Sequence, residues 1–177
     1  MEKVNNLDNV LFFWGHNSKN SSLGTECLSN WYSKQNFTDP QTKITYENNE
    51  QFMMAGKANL FKDEEIFAKI LTDSNPKHCK ALGRKVKNFD GKVWNDNCRD
   101  IVSYGCYLKF SQNQILKDFL LSTGDKLLVE ASPYDKIWGI GLSETKAKQM
   151  KQEDWPGKNY LGKCLMSVRE KLKKENQ

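Results

Sequence analysis

The sequence predicts an α+β fold that is mainly helical, in a single domain over residues 1–177 with a few short strands. Three observations carry this. Short apolar runs lie in the first 46 residues among Asn, Ser, Thr and Gly. Helical spacing, with a capping residue at the start of most stretches, governs the remainder of the chain. Strands and helices do not alternate, which argues against a doubly wound sheet.

A chain of 177 residues is about one domain, and its 38% hydrophobic and 28% charged residues exclude chain-wide disorder. No apolar run approaches the roughly 18 residues of a membrane span. The polar start, Met1 to Val10, lacks the apolar segment of a signal peptide. These features predict a cytoplasmic protein with no membrane partner.

Val10–Trp14 and Cys27–Tyr32 read as short strands between loops, and Ile44–Tyr46 as a third. Helices come next. Asn49–Phe61 places Phe52, Met53, Ala55 and Leu60 at helical spacing behind Asn48 or Asn49 as N-cap. Asp63–Leu71 carries Ile66, Phe67 and Ile70. Ser74 or Asn75 caps a helix that has Pro76 at its first position and ends near Gly83. A longer helix starts after Gly91, with Trp94, Ile101, Gly105 and Leu108 on one stripe. Ser111 to Gln114 has the pattern of a capping box opening a helix through Ile115, Leu116, Phe119 and Leu120, stopped at Gly124. Lys126–Glu130 is a buried strand, 131–142 a loop rich in Gly, Pro and aromatics, and Tyr160–Leu172 the last helix. The ends, 1–8 and 171–177, are expected to fray.

The net charge of +5 comes from 24 lysines and 3 arginines, scattered among 17 asparagines. Base-reading surfaces rely on arginine, so charge alone argues against specific nucleic-acid binding. Cys27, Cys79, Cys98, Cys106 and Cys164 form no C-x-x-C pair, and only His16 and His78 could join them. Reduced thiols and no metal site are the expectation. Gly139-Ile-Gly-Leu-Ser-Glu144 lacks the third glycine of a dinucleotide loop. Gly157 to Cys164 resembles a P-loop but has Cys164 where magnesium needs a hydroxyl.

Four constellations remain. Glu50 and Lys57, seven residues apart, share one helix face about 10 Å apart along the axis, and the helix dipole favours an ionised Glu50; the plain alternative is a surface helix. Glu130 to Gly141 packs two carboxylates, Glu130 and Asp135, with Tyr134 and Trp138 in one loop; otherwise it plugs the core. Trp94 offers a ring face, with Lys109 and Arg84 as cations for phosphate; otherwise Trp94 is core. Lys158 and Asn159 open the last helix, where an anion can sit; otherwise Asn159 is a cap. Paired carboxylates with aromatics and cations suit cleavage of a glycosidic bond, whose oxocarbenium-like transition state needs a nearby negative charge.

Together these residues resemble the NADAR family of YbiA-like proteins. The resemblance runs through Leu28-Ser-Asn-Trp31, Glu50-Gln-Phe-Met-Met-Ala-Gly-Lys-Ala58, Ala81 to Val86, Trp94, Lys109-Phe110, Leu120 to Asp125, Leu128 to Leu142, Gly157 to Met166 and Val168-Arg169. It implies a compact, largely helical fold and N-glycosidase activity on early riboflavin-pathway intermediates or on ADP-ribosylated guanine. It makes Glu50 the catalytic glutamate and places Trp94 and Asp135 at the site. Lys57, Lys109 and Trp138 are added for phosphate contact and base stacking. The expected partner is a small phosphorylated ribosyl substrate, with ADP-ribosylated nucleic acid as the alternative, and no cofactor is required. A non-catalytic module for ADP-ribose-like ligands is a third reading. One local departure is Asn48, where many members carry a small hydroxyl residue.

Overall fold

The computed structural model describes residues 7–18 and 21–176. In chain order its elements are β1 (Val10–Phe13), β2 (Phe37–Thr38), β3 (Thr45–Tyr46), α1 (Asn49–Leu60), α2 (Glu64–Leu71), α3 (Pro76–Gly83), α4 (Gly91–Gln112), α5 (Gln114–Ser122), β4 (Leu127–Glu130), α6 (Glu144–Ala147) and α7 (Tyr160–Glu175). The mainly helical α+β class is therefore observed. No described helix is long and apolar enough to cross a membrane. The residues group into two units, Asn30–Lys117 and the two flanking stretches up to Ser29 and from Asp118 onward.

In the unit from Asn30 to Lys117, α1 packs against α2, α3 and α4. Asn49 through Ala55 and Ala58 are all buried, so α1 is buried on every side of its first two turns and has no simple apolar stripe. Its start is capped as the sequence predicts: the Asn48 side chain accepts from Gln51 N–H at 2.8 Å and donates to the Ser74 carbonyl at 2.7 Å. Two glycines allow neighbouring helices to close on α1. A Cβ on Gly105 of α4 would stand 1.9 Å from Asn49 Oδ1, and one on Gly83 of α3 would stand 1.9 Å from Met54 Sδ. β2 and β3 pair antiparallel, Phe37 opposite Tyr46, and both rings pack on Phe52, at centroid distances of 5.9 and 5.0 Å. Asp63 caps α2 and also takes the Lys87 N–H at 2.8 Å, fixing the turn that leads into α4. These backbone donors, Lys87 first and Ile66 second, hold its carboxyl below the usual range.

In the other unit, β1 and β4 pair in parallel, Val10 opposite Leu127 and Phe13 opposite Glu130. Their apolar side chains pack with Ile140, Ala147, Leu142 and Trp155, and α7 lies against β4. Arg169 is buried and donates to Thr123 Oγ1 at 2.8 Å and to the Lys126 carbonyl at 2.9 Å, tying α7 to the turn before β4.

Several expectations are corrected. The Cys27–Tyr32 run is not a strand: Thr25–Leu28 forms a 3₁₀ turn with Cys27 and Leu28 fully buried. β2 and the short α6 carry no clear apolar pattern. Ser111 opens no capping box; it lies inside α4 and its hydroxyl bonds back to the Leu108 carbonyl at 3.4 Å. The buried residues of α4 are Cys98, Val102, Gly105, Cys106, Leu108, Lys109 and Phe110, so Gly105 and Leu108 of the expected stripe are buried while Trp94 and Ile101 are half-buried. α7 continues through Lys171–Glu175, where fraying was expected, because Leu172 is fully buried and Lys173 bridges to Asp125 at 2.8 Å. Residues 1–6 and 177 lie outside the described residues.

Gly105→Ala should push the start of α1 away from α4 and lower the thermal midpoint, at a cost of about 1–3 kcal/mol. Gly91→Ala, whose Cβ would meet nothing closer than 4.0 Å, should leave it nearly unchanged. Parallel melting curves of the two variants check this.

Candidate active site

The first turn of α1 is held by the Leu28–Trp31 motif. Asn30 accepts the Glu50 N–H on its carbonyl at 2.9 Å and the Asn49 side-chain NH₂ on its Oδ1 at 2.9 Å. Asn49 also reaches the Cys106 sulfur at 3.2 Å. Glu50 is thus fixed at the second position of the helix, and the residue is 4% exposed. The amides of the first turn place partial positive charge beside its carboxylate.

Seven residues on, Lys57 lies on the same face of α1. Its ammonium stands 4.4 Å from the centroid of Phe89 and 5.5 Å from that of Trp94. Burial, and then the nearby Arg84 guanidinium, hold its pKa below the ordinary lysine value. No carboxylate among the described residues forms an ion pair with Lys57 or Arg84. Two neighbouring cations without a counter-charge, beside two aromatic faces, form a place for an anion. Lys57 thus has both Trp94 and Arg84 as neighbours, whereas the sequence groups Trp94 and Arg84 with Lys109. Phe89 joins them unforeseen; its only signal is its position just before the Asp90 cap of α4.

Lys109 stands apart from this group. It is 1% exposed and its ammonium lies 5.3 Å from the Tyr32 ring and 5.2 Å from the Phe110 ring. Its place in the core argues against direct phosphate contact.

Cys79 is fully buried and its thiol is pushed up to about 12, by burial first and then by the Asp73 and Glu50 carboxylates. It donates to the Asp73 carbonyl oxygen, while His78 pairs with the Asp73 carboxylate at 2.8 Å. A thiol this reluctant to ionise is a poor nucleophile. All five cysteines are buried and none forms a disulfide.

In the other unit, the loop after β4 is built by its own backbone. Asp135 Oδ1 accepts the Ile137 and Trp138 N–H groups, each at 2.8 Å. Trp138, half-buried, meets Tyr160 edge-on with centroids 6.0 Å apart. A Cβ on Gly139 would stand 2.8 Å from the Glu130 carbonyl oxygen, so this glycine serves close packing of the chain on itself. Glu130 ends β4 and is half-buried.

Asn159 is neither a side-chain cap nor an anion site. It takes a left-handed conformation (φ 51°) with no capping bond. Its side chain is spent on β4, donating to the Leu128 carbonyl at 2.9 Å and accepting the Glu130 N–H at 3.0 Å. The amides of Asn159, Tyr160 and Leu161 are taken by the carbonyls of Gly139, Ile137 and Trp138. An anion would find no free donor in that turn.

Fold and site define a mainly helical α+β protein with a buried carboxylate at a clamped helix start and a cation–aromatic cluster on the same helix face. A family model described as the NADAR domain matches residues 12–173, and the chain belongs to that family. It is 45% identical over 172 residues to N-glycosidase R617 of Acanthamoeba polyphaga mimivirus, covering 96% of this chain and 98% of that one. It is 32% identical over 112 residues to the chloroplastic riboflavin biosynthesis protein PYRR of Zea mays, covering 61% of this chain and 16% of that protein. The NMR structure of the E. coli protein YbiA shares the fold, with a TM-score of 0.75 at 24% identity, over 94% of this chain and 86% of that one.

The depressed Lys57 sets a pH signature. Between its folded value and the ordinary lysine value, unfolding takes up a proton, so stability rises with pH through that window. Lys57→Met should therefore be at least as stable as the parent at pH 7, with the advantage shrinking as pH climbs toward 10.5. Denaturant titrations at several pH values check this.

Proposed function

We propose that this protein hydrolyses the N-glycosidic bond between ribose 5-phosphate and the pyrimidine of early riboflavin-biosynthesis intermediates. Family membership and the N-glycosidase relative support a hydrolase of N-glycosyl compounds; the riboflavin protein among the relatives favours the pyrimidine substrate. One observation carries the reading: the unpaired Lys57–Arg84 cations beside Phe89 and Trp94, on the helix face that carries the buried Glu50.

The chemistry follows from these parts. As the base departs, positive charge spreads over the ribose C1′ and ring oxygen. Glu50, a carboxylate backed by the α1 start, stabilises that charge and orients the water that attacks C1′. Lys57 and Arg84 hold the 5′-phosphate, with the Trp94 ring beside them. Asp135 and Trp138 belong to the other unit and carry no step in this scheme. Water adds its hydroxyl to C1′, and the electron pair of the broken bond leaves with the base, which takes up a proton. In this scheme the reaction needs no cofactor.

The test is sugar release from ribosylaminopyrimidine 5′-phosphates, with ADP-ribosylated guanine DNA in parallel. Glu50→Gln should lower turnover by a factor of about 10² or more while the melting curve stays that of the parent. A fully active Glu50→Gln variant would sink the mechanism. Release of ADP-ribose from DNA alone would move the substrate to modified nucleic acid. Ligand binding without release from either would leave a binding module. Lys57→Met should raise KM for the phosphorylated substrate more than for its dephosphorylated form.

A further inference from the structure

We infer that the cavity on the far side of α1 from Glu50 and Lys57 is a binding site for a small organic cation, a protonated amine carried on a single aromatic ring. The inference goes beyond the N-glycosidase reading and does not depend on it.

The cavity lies within the unit from Asn30 to Lys117 and has a volume of about 200 Å³. Helix α1 gives Phe52, Ala55, Gly56 and Asn59 to its wall. At about 3.6 residues per turn, these positions fall on the side of the helix opposite positions 50 and 57. The cavity is therefore separate from the cluster around Lys57. An engineered apolar cavity of about 150 Å³ holds benzene, so this one has room for one ring and a short arm.

Its polar end is a carboxylate without a counter-charge. Asp39 is 7% exposed, and no cation among the described residues pairs with it. Its Oδ1 accepts from the Gln41 N–H at 3.0 Å and from the Tyr104 hydroxyl at 3.1 Å, and its Oδ2 from the Thr42 hydroxyl at 3.1 Å. A carboxylate has about four acceptor positions, so these three donors leave one, on Oδ2. They fix the group in place and leave its charge uncancelled.

Tyr46 lines the same cavity and is 4% exposed, yet its hydroxyl has no hydrogen-bond partner among the described residues. Burial first, and then the Asp39 carboxylate, push its pKa up to about 12, so it stays a neutral hydroxyl. The remaining wall is largely aromatic. Tyr46 and Phe52 meet edge-on with centroids 5.0 Å apart, Phe52 and Tyr104 at 5.9 Å, and Phe67 adds a further ring. Ring faces attract a cation through their quadrupole, and no described lysine or arginine lines the cavity to compete. An ammonium is a donor at all three of its hydrogens. It matches the open Asp39 oxygen, the unpartnered Tyr46 hydroxyl oxygen and the ring faces, where a carboxylate ligand would be repelled.

Calorimetric titration of the intact protein with phenethylamine, phenethyl alcohol and phenylacetate at neutral pH tests this. The amine should bind at least about tenfold tighter than the alcohol, because a charged hydrogen bond replaces a neutral one, and phenylacetate should not bind. Asp39→Asn should bring amine and alcohol within about threefold of each other, and Tyr46→Phe should weaken the amine by about threefold or more. Glu50→Gln and Lys57→Met should leave the amine affinity within about twofold of the parent, because those residues face away from the cavity. Equal binding of amine and alcohol by the parent, or binding of neither, would overturn the inference. So would an unchanged ratio in a folded Asp39→Asn variant, or loss of amine binding in Glu50→Gln. If Asp39→Asn fails to fold, the parent ratio and Tyr46→Phe decide.

Discussion

The double grip of Asn30 on the first turn of α1 is the constraint on which the site depends. A helix start has unsatisfied amides, and a buried start must find acceptors for them. Here the Asn30 carbonyl takes the Glu50 amide while the Asn30 side chain takes Asn49, and Asn48 caps the same turn from the other end. The Glu50 backbone is held in place by the Asn30 carbonyl. Gly105 and Gly83 then let α4 and α3 close onto the helix, at Asn49 and at Met54.

Electrostatics divide the work along α1. The start of the helix holds an anion in a buried setting. Two turns further along that face, Lys57 meets the Arg84 guanidinium, and no carboxylate among the described residues pairs with either. Such an arrangement costs stability when empty and recovers it when an anion binds, which is the pattern of a ligand site rather than a structural ion pair. Arg169 differs: it is buried, hydroxyl and carbonyl partners hold it, and its role is to fasten α7.

Most of the helices were legible because their caps are chemically explicit. Asn48 and Asn75 accept the amides their positions predict, and Asp63 and Asp90 cap α2 and α4 by the same chemistry. The gathering of Lys57, Arg84 and Trp94 was legible in part, from helix spacing and family resemblance. Phe89 was not, since one aromatic in a turn has no period. Lys109 misled because a lysine carries no mark of burial; its partners Tyr32 and Phe110 become neighbours only in the fold. Asn159 misled for the opposite reason. Its place before a helix suggests a cap, yet the loop carbonyls at 137–139 fill that role and free its side chain to stitch β4. Gly139, in the loop after β4, makes room for the chain's own backbone.

The most direct test is the kinetic split in Asn30→Ala, read beside its melting curve. Loss of the Asn30 Oδ1 bond loosens Asn49 and with it the turn that aims Glu50. The account predicts that kcat for sugar release falls by about tenfold or more while KM stays within about twofold, since displacement of a catalytic group acts on the transition state. An Asn30→Ala protein that remains folded and keeps the parent kcat would contradict it.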